Sequence, residues 1–160
     1  MNQLLENRLN LAKTAVILGH VHPDGDCVGS ALGLYNYLLA HYPELKTDIY
    51  LDNPDQKFSY LKRFDEIHCG YEEEKRYDLC ITCDSSDVER LGAFKPYFET
   101  AVHTFCVDHH VTNQGFAEEN CVEPDASSAS EVVCTLLDIE KIDLAAAECF
   151  YTGIVHDTGV

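Results

Sequence analysis

A histidine and two aspartates fall within seven residues, His20-Val21-His22-Pro23-Asp24-Gly25-Asp26, on a stretch that Pro23 and Gly25 bend into a tight loop. Capping a helix would account for one aspartate. His20, Asp24 and Asp26 together exceed what a cap requires and suit a metal ion. Three further segments carry the same residue types: Asp84-Ser85-Ser86-Asp87, Asp108-His109-His110 and His156-Asp157-Thr158-Gly159. Each alone has an ordinary explanation. Asp84, Ser86 or Asp87 could cap a helix beginning near Val88, and His156 would suit a helix end stopped by Gly159. Jointly, His20, Asp24, Asp26, Asp84, His109 and Asp157 are oxygen and imidazole donors without sulfur, which favours Mn²⁺ or Mg²⁺ over structural zinc. Four carboxylates and two imidazoles are too many for one zinc tetrahedron and suit two divalent ions sharing a carboxylate. Ion pairs of that kind, ~3.5–4 Å apart, hydrolyse phosphate esters: one ion lowers the pKa of a water, and both stabilise charge on the phosphoryl oxygens.

The elements that must position these residues follow from hydrophobic texture. Short apolar runs at Ala15–Leu18, Ile49–Leu51, Leu79–Cys83 and Val102–Val107 predict buried parallel strands. Val28, Ala31, Leu32, Tyr35, Leu38 and Leu39 fall on one helical face, and that helix ends before Pro43. Ser130–Leu137 and Leu144 to about Val155 predict two more helices. Strands alternating with helices predict an α/β fold, a mostly parallel sheet with helices on both faces. Ligands in such sheets bind beyond the carboxyl ends of the strands, which is where His20, Asp84 and Asp108 fall. On extended backbone Asp108 and His110 would share a side and His109 would face the other way, an alternation that a turn at the strand end can break.

The chain has 160 residues, 46% of them hydrophobic, enough for one domain and too many for disorder. No apolar run reaches ~18 residues, so no membrane span is expected. The N-terminal stretch lacks a signal peptide's basic start and apolar centre, and the eight cysteines are expected to be reduced thiols in a cytoplasmic protein. Cys80 and Cys83 have a zinc-like spacing but lie inside a predicted strand, facing opposite sides. A formal charge of −17 argues against a protein that coats nucleic acid, and leaves room for a phosphate substrate where metal ions reverse the local field. His41, His68 and His103 have no comparable acidic neighbours and read as surface or strand-edge residues, and Glu72-Glu73-Glu74-Lys75-Arg76 as a solvated face.

In order and spacing, the segments His20–Asp26, Asp84, Asp108-His109-His110 and His156-Asp157 resemble the four motifs of the DHH phosphoesterases, over about Val16 to Val160. The stretch HVHPDGDCVGS is most similar to the bacterial branch of oligoribonucleases that also act as phosphoadenosine-phosphate phosphatases. The resemblance implies two Mn²⁺ per chain, with Mg²⁺ as the other candidate. His20 and Asp24 would hold the first ion, Asp26, His109 and Asp157 the second, and Asp84 both. It implies that His110 faces the scissile phosphate with Asp108 behind it, and that Asn113 matches a recurring position; His22, inside the first motif, is a candidate for substrate contact. Ser127, Ser128 or Ser130 would cap a helix near the site or meet a phosphate. The expected partner is a short RNA or a nucleotide phosphate, with no membrane; a homodimer is entertained. Cyclic-dinucleotide phosphodiesterase, inorganic pyrophosphatase and a nucleotide-binding module without catalysis are the alternatives. Family members normally continue into a smaller substrate-binding domain, DHHA1, so residues 1–160 are expected to be the catalytic domain alone.

Overall fold

The computed structural model describes residues 1–159; Val160, where the expected resemblance ends, lies outside them. In chain order the regular elements are α1 (Gln3–Leu11), β1 (Thr14–Leu18), α2 (Gly25–His41), β2 (Lys46–Tyr50), β3 (Leu79–Cys83), α3 (Lys95–Thr100), β4 (His103–Asp108), β5 (Glu119–Val122), α4 (Ala129–Leu136) and α5 (Leu144–Thr158). The five strands form one sheet in the order β2-β1-β3-β4-β5, and every pairing is parallel. From β1 the chain winds outward to β2, then returns past β1 to β3, β4 and β5. The winding therefore reverses between β1 and β3, which opens a crevice at their carboxyl ends.

Both faces of the sheet are covered, as the texture predicts. One face packs under α1, α2, α4 and α5, with Ile17, Ile81, Phe105 and Val107 in the main core. The other carries Val16, Leu18 and Cys80 beneath Leu91, Phe94 and Tyr97 of the β3–β4 connection. Cys80 and Cys83 thus fall in opposite cores, as the strand period requires, and all eight cysteines are free. Among the described residues no helix is long and apolar enough to cross a membrane.

Helix α2 departs from the one-sided pattern read from its sequence. Every residue from Gly25 to Leu38 is buried, because the sheet lies on one side and α4 and α5 on the other. Close approach to α5 depends on glycine. A Cβ at Gly29 would lie 2.4 Å from the Cys149 carbonyl oxygen, and one at Gly33 2.3 Å from the Phe150 ring. A Cβ at Gly153 would lie 1.9 Å from Ser130 Oγ and 2.8 Å from Asp26 Oδ1, so three helices meet there with no room for a methyl group. Two elements lie outside the expectations. Helix α1 buries only Leu5 and Leu9, an i,i+4 pair too sparse to stand out. Strand β5, reading Glu-Asn-Cys-Val, is a half-exposed edge without an apolar run. Strand β2 likewise begins earlier than its apolar run, through the polar residues Lys46-Thr47-Asp48.

Candidate metal centre

Four chain segments converge on the crevice between β1 and β3. His20 leaves the end of β1 and is nearly buried. Its Nδ1 lies 2.7 Å from the Val21 carbonyl oxygen, an acceptor, so Nδ1 carries a hydrogen and Nε2 is the nitrogen left to face the crevice. That Nε2 faces Asp84 Oδ2 at 3.3 Å and Asp24 Oδ1 at 3.7 Å. Asp24 is the N-cap of α2, its Oδ1 accepting from the backbone N–H groups of Asp26 and Cys27 at 3.1 and 3.0 Å. Asp87 caps the 3-10 helix that follows β3, accepting from Arg90 N–H. The cap there does not need Asp84.

Asp84 follows β3 in a left-handed backbone conformation, φ 57°, uncommon for a residue with a side chain. Its N–H donates to the Val107 carbonyl at 3.0 Å, tying the end of β3 to β4. The buried carboxylate is thereby set between two groups of ligands. Oδ2 faces His20, while Oδ1 lies 3.6 Å from His109 Nε2 and has no hydrogen-bond partner. The same His109 nitrogen lies 3.7 Å from Asp26 Oδ2 and 3.2 Å from Asp157 Oδ2. Asp26 is fully buried and accepts from Ala129 and Ser130 N–H at 2.7 and 2.9 Å, holding the N-terminus of α4, which Ser128 caps. Asp157 sits in the last turn of α5, seated by the glycine contacts with α2.

The triplet at the end of β4 does not keep the alternation of extended backbone: the His109 and His110 rings lie 4.8 Å apart and both cluster with Asp84. Asp108 is fully buried; its Oδ1 lies 2.7 Å from His110 Nδ1 and its Oδ2 accepts from Asn113 Nδ2 at 2.9 Å. Asp108 therefore fixes the His110 tautomer and orients the ring, without reaching the crevice itself. Asn113 also donates to the Ser85 carbonyl at 3.2 Å and accepts from Gly115 N–H at 2.8 Å, so its amide bonds within the protein. His22, exposed and left-handed at φ 51°, stands at the edge, its N–H donating to Asp52 at 3.3 Å. Two neighbours were not among the expected ligands. Cys27 Sγ lies within 4.8 Å of ligand atoms of His20 and Asp84, and His156 clusters with Asp24 and Asp157. The His156 ring covers Gly25, where a Cβ would lie 2.6 Å away. Both lie within the motif segments read from the sequence, Cys27 in HVHPDGDCVGS and His156 beside Asp157.

The electrostatics fit divalent cations. Burial raises Asp84 to about 6, with Asp26 adding to the rise against the pull of His20. Burial likewise raises Asp26, despite its N–H donors from α4, and raises Asp157, where Asp84 and Asp24 add repulsion. Burial opposes ionisation of His20, but Asp24 and Asp84 overcome it and hold its pKa well above the ordinary value. Asp24 goes the other way, below the usual carboxylate range, because His20 and the Cys27 N–H outweigh its burial. The unpartnered Asp84 oxygen, the His20 and His109 Nε2 atoms turned toward carboxylates, and the mutually repelling carboxylates are a donor set that ions of Mn²⁺ or Mg²⁺ type would satisfy in place of protons.

Comparison with known proteins gives the same direction. Residues 14–154 match the profile described as "DHH family, N-terminal domain". The chain is 31% identical to the bifunctional oligoribonuclease and PAP phosphatase NrnA of Bacillus subtilis, over 99% of this chain and 50% of that protein. It is 22% identical to the cyclic-di-AMP phosphodiesterase PdeA of Listeria monocytogenes, over 99% of this chain and 27% of that protein. An exopolyphosphatase-related protein from Bacteroides fragilis superposes with a TM-score of 0.87 at 26% identity, covering 98% of this chain and 49% of that one. The chain thus spans half or less of the length of these relatives. Sequence match, sheet order and the crevice at its switch point agree: the chain belongs to the DHH family.

Proposed function

We propose that the domain is a metal-dependent phosphoesterase that hydrolyses short oligoribonucleotides, phosphoadenosine phosphate or both. The observation that carries the reading is Asp84: a buried carboxylate whose two oxygens face separate ligand groups, one oxygen unpartnered. His20 and Asp24 would hold one divalent ion, Asp26, His109 and Asp157 a second, with Asp84 shared. Bound ions would supply a hydroxide nucleophile and offset charge on the phosphoryl oxygens.

The remaining work falls to side chains. With Nδ1 held by Asp108, His110 has Nε2 left for a substrate, and its pKa is raised: burial opposes the charged form and the Asp108 bond outweighs it. It is placed to donate a proton to a phosphoryl or leaving oxygen. Among the described residues Asp24, Asp26, Asp84 and Asp157 form ion pairs with histidines and with no Lys or Arg, so positioning the ester calls for a further cationic surface, the role we assign to a DHHA1-type domain beyond these residues. The name of the Bacillus subtilis relative supports the choice of substrate, and the Listeria monocytogenes relative supports cyclic di-AMP as the second reading. Steady-state assays with a short RNA, phosphoadenosine phosphate, cyclic di-AMP and pyrophosphate, each with Mn²⁺ and with chelator, test it. Hydrolysis of none of the four in Mn²⁺ by a chain extended through a DHHA1-type domain would refute the reading.

A further inference from the structure

The segment between β2 and β3 holds a cavity that the metal chemistry does not use. Residues 51–69 leave the carboxyl end of β2 and return to it: Leu51 N–H donates to the His68 carbonyl at 3.1 Å, and His68 N–H to that of Ile49 at 2.9 Å. The closed loop is seated firmly. Phe58, Leu61 and Phe64 are buried in the main core, Asn36 of α2 donates to the Lys62 carbonyl at 3.1 Å, and the Tyr60 hydroxyl meets Thr152 of α5 at 2.9 Å. Within its span the loop encloses a cavity of about 440 Å³ lined by Asn53, Pro54, Gln56, Phe64, Asp65 and Cys69, among others. A second hollow of about 410 Å³ shares Asn53 with the first and reaches His22 and Pro23 of the metal-binding loop. Both volumes lie in the ~300–1,000 Å³ range of small-molecule sites. Asn53 and His22, at the junction, are both left-handed, at φ 47° and 51°.

The lining decides what could enter. No Lys or Arg contributes to either hollow, and Asp52, Asp55 and Asp65 do, so a phosphate is repelled. Pro54, Phe64 and Ile67 offer apolar surface, and Asn53 and Gln56 offer amide edges. This combination suits a flat, uncharged heterocycle with N–H donors on its rim. We propose that this cavity is a nucleobase subsite, selective for a base bearing an exocyclic amino group, which seats the nucleoside next to the ester lying at the metal centre. The placement of that ester rests on the function proposed above; binding of the base does not.

Cys69 gives a readout independent of hydrolysis. It lines the cavity and is the one exposed cysteine of the eight. In chelator, the rate of Cys69 alkylation, followed by peptide mass mapping, is expected to fall about tenfold with adenosine at ~10 times its dissociation constant. Ribose 5-phosphate should leave the rate unchanged, and uridine should protect less than adenosine. Ser59, an exposed lining residue, replaced as Ser59→Trp should fill the hollow and abolish protection while the melting midpoint stays near that of the parent. If that variant does not fold, the contrast between adenosine and ribose 5-phosphate in the parent still decides. Equal rates with and without adenosine, or equal protection by ribose 5-phosphate, would overturn the subsite, and equal protection by uridine would overturn the amino-edge selectivity. Loss of metal-dependent hydrolysis with adenosine protection intact would instead refute the function proposed above.

Discussion

Replacing Asp84 by Asn should stabilise the metal-free protein and at the same time remove its response to metal. Raising this carboxyl from 3.8 to about 6 costs the ionised fold ~3 kcal/mol, at 1.36 kcal/mol per tenfold change. The sign follows from linkage. The folded pKa lies above the unfolded one, so the wild type loses this stability as pH rises from about 4 through about 6. An Asn is neutral throughout, its amide can face Asp26, and His20 keeps Asp24 as a partner. With some of the gain lost to the broken contact with His20, we expect Asp84→Asn to be more stable by ~1–3 kcal/mol at pH 8 in chelator, or ~2–10 °C in melting midpoint for a chain of this size. The gain should vanish at pH 4. With Mn²⁺ at a hundredfold its dissociation constant the wild type should gain ~2.7 kcal/mol per site, and the variant much less because both ions lose a ligand. Scanning calorimetry at the two pH values, with and without Mn²⁺, reads all four numbers. A lower midpoint for the variant at pH 8 in chelator, or an equal Mn²⁺ response in both proteins, would refute the reasoning.

Gly153→Ala should destabilise by ~1–3 kcal/mol or more and weaken Mn²⁺ binding, since the new Cβ meets Ser130 and Asp26; a melting curve and a calorimetric titration check both. Asp108→Asn should lower kcat more than it changes KM. It should also shift the His110 titration to lower pH, because burial remains while the raising bond weakens, and a histidine NMR titration reads this directly. Asp157→Ala should leave the fold intact and cut the Mn²⁺ stoichiometry by one, counted by metal analysis after dialysis, since His20, Asp24 and Asp84 stay in place.

Where burial is two-sided, the sequence was easy to read. Strands β1 and β3 are uninterrupted apolar runs, and the residues that follow them, His20 and Asp84, could be named as candidates because parallel sheets place ligands there. Strand β5 and helix α1 were not legible, because an edge strand and a helix with one buried pair leave little hydrophobic signal. Within the site, residue types and order were legible but the sharing of tasks was not. No spacing rule shows that Asp26 anchors α4 through Ala129 and Ser130, or that Asn113 spends its amide on Asp108 and Ser85. The glycine contacts of α2 with α5 escaped notice for the same reason: a missing side chain has meaning only once the partner helix is known.

The enclosure of α2 has a consequence for motion. A helix covered by the sheet on one side and by α4 and α5 on the other has no route to local opening, so its amide protons should exchange with solvent only through global unfolding. The last turn of α5 is the opposite case, with His156, Asp157 and Thr158 exposed and Gly159 ending the helix. The candidate ligands therefore join a helical segment expected to exchange slowly to one expected to exchange fast. An ion held between Asp26 and Asp157 would slow the exchange of α2 by the factor it adds to global stability, about a hundredfold at a hundredfold its dissociation constant, and would slow residues 154–158 by restraining the helix end, so hydrogen exchange would report its arrival in both segments.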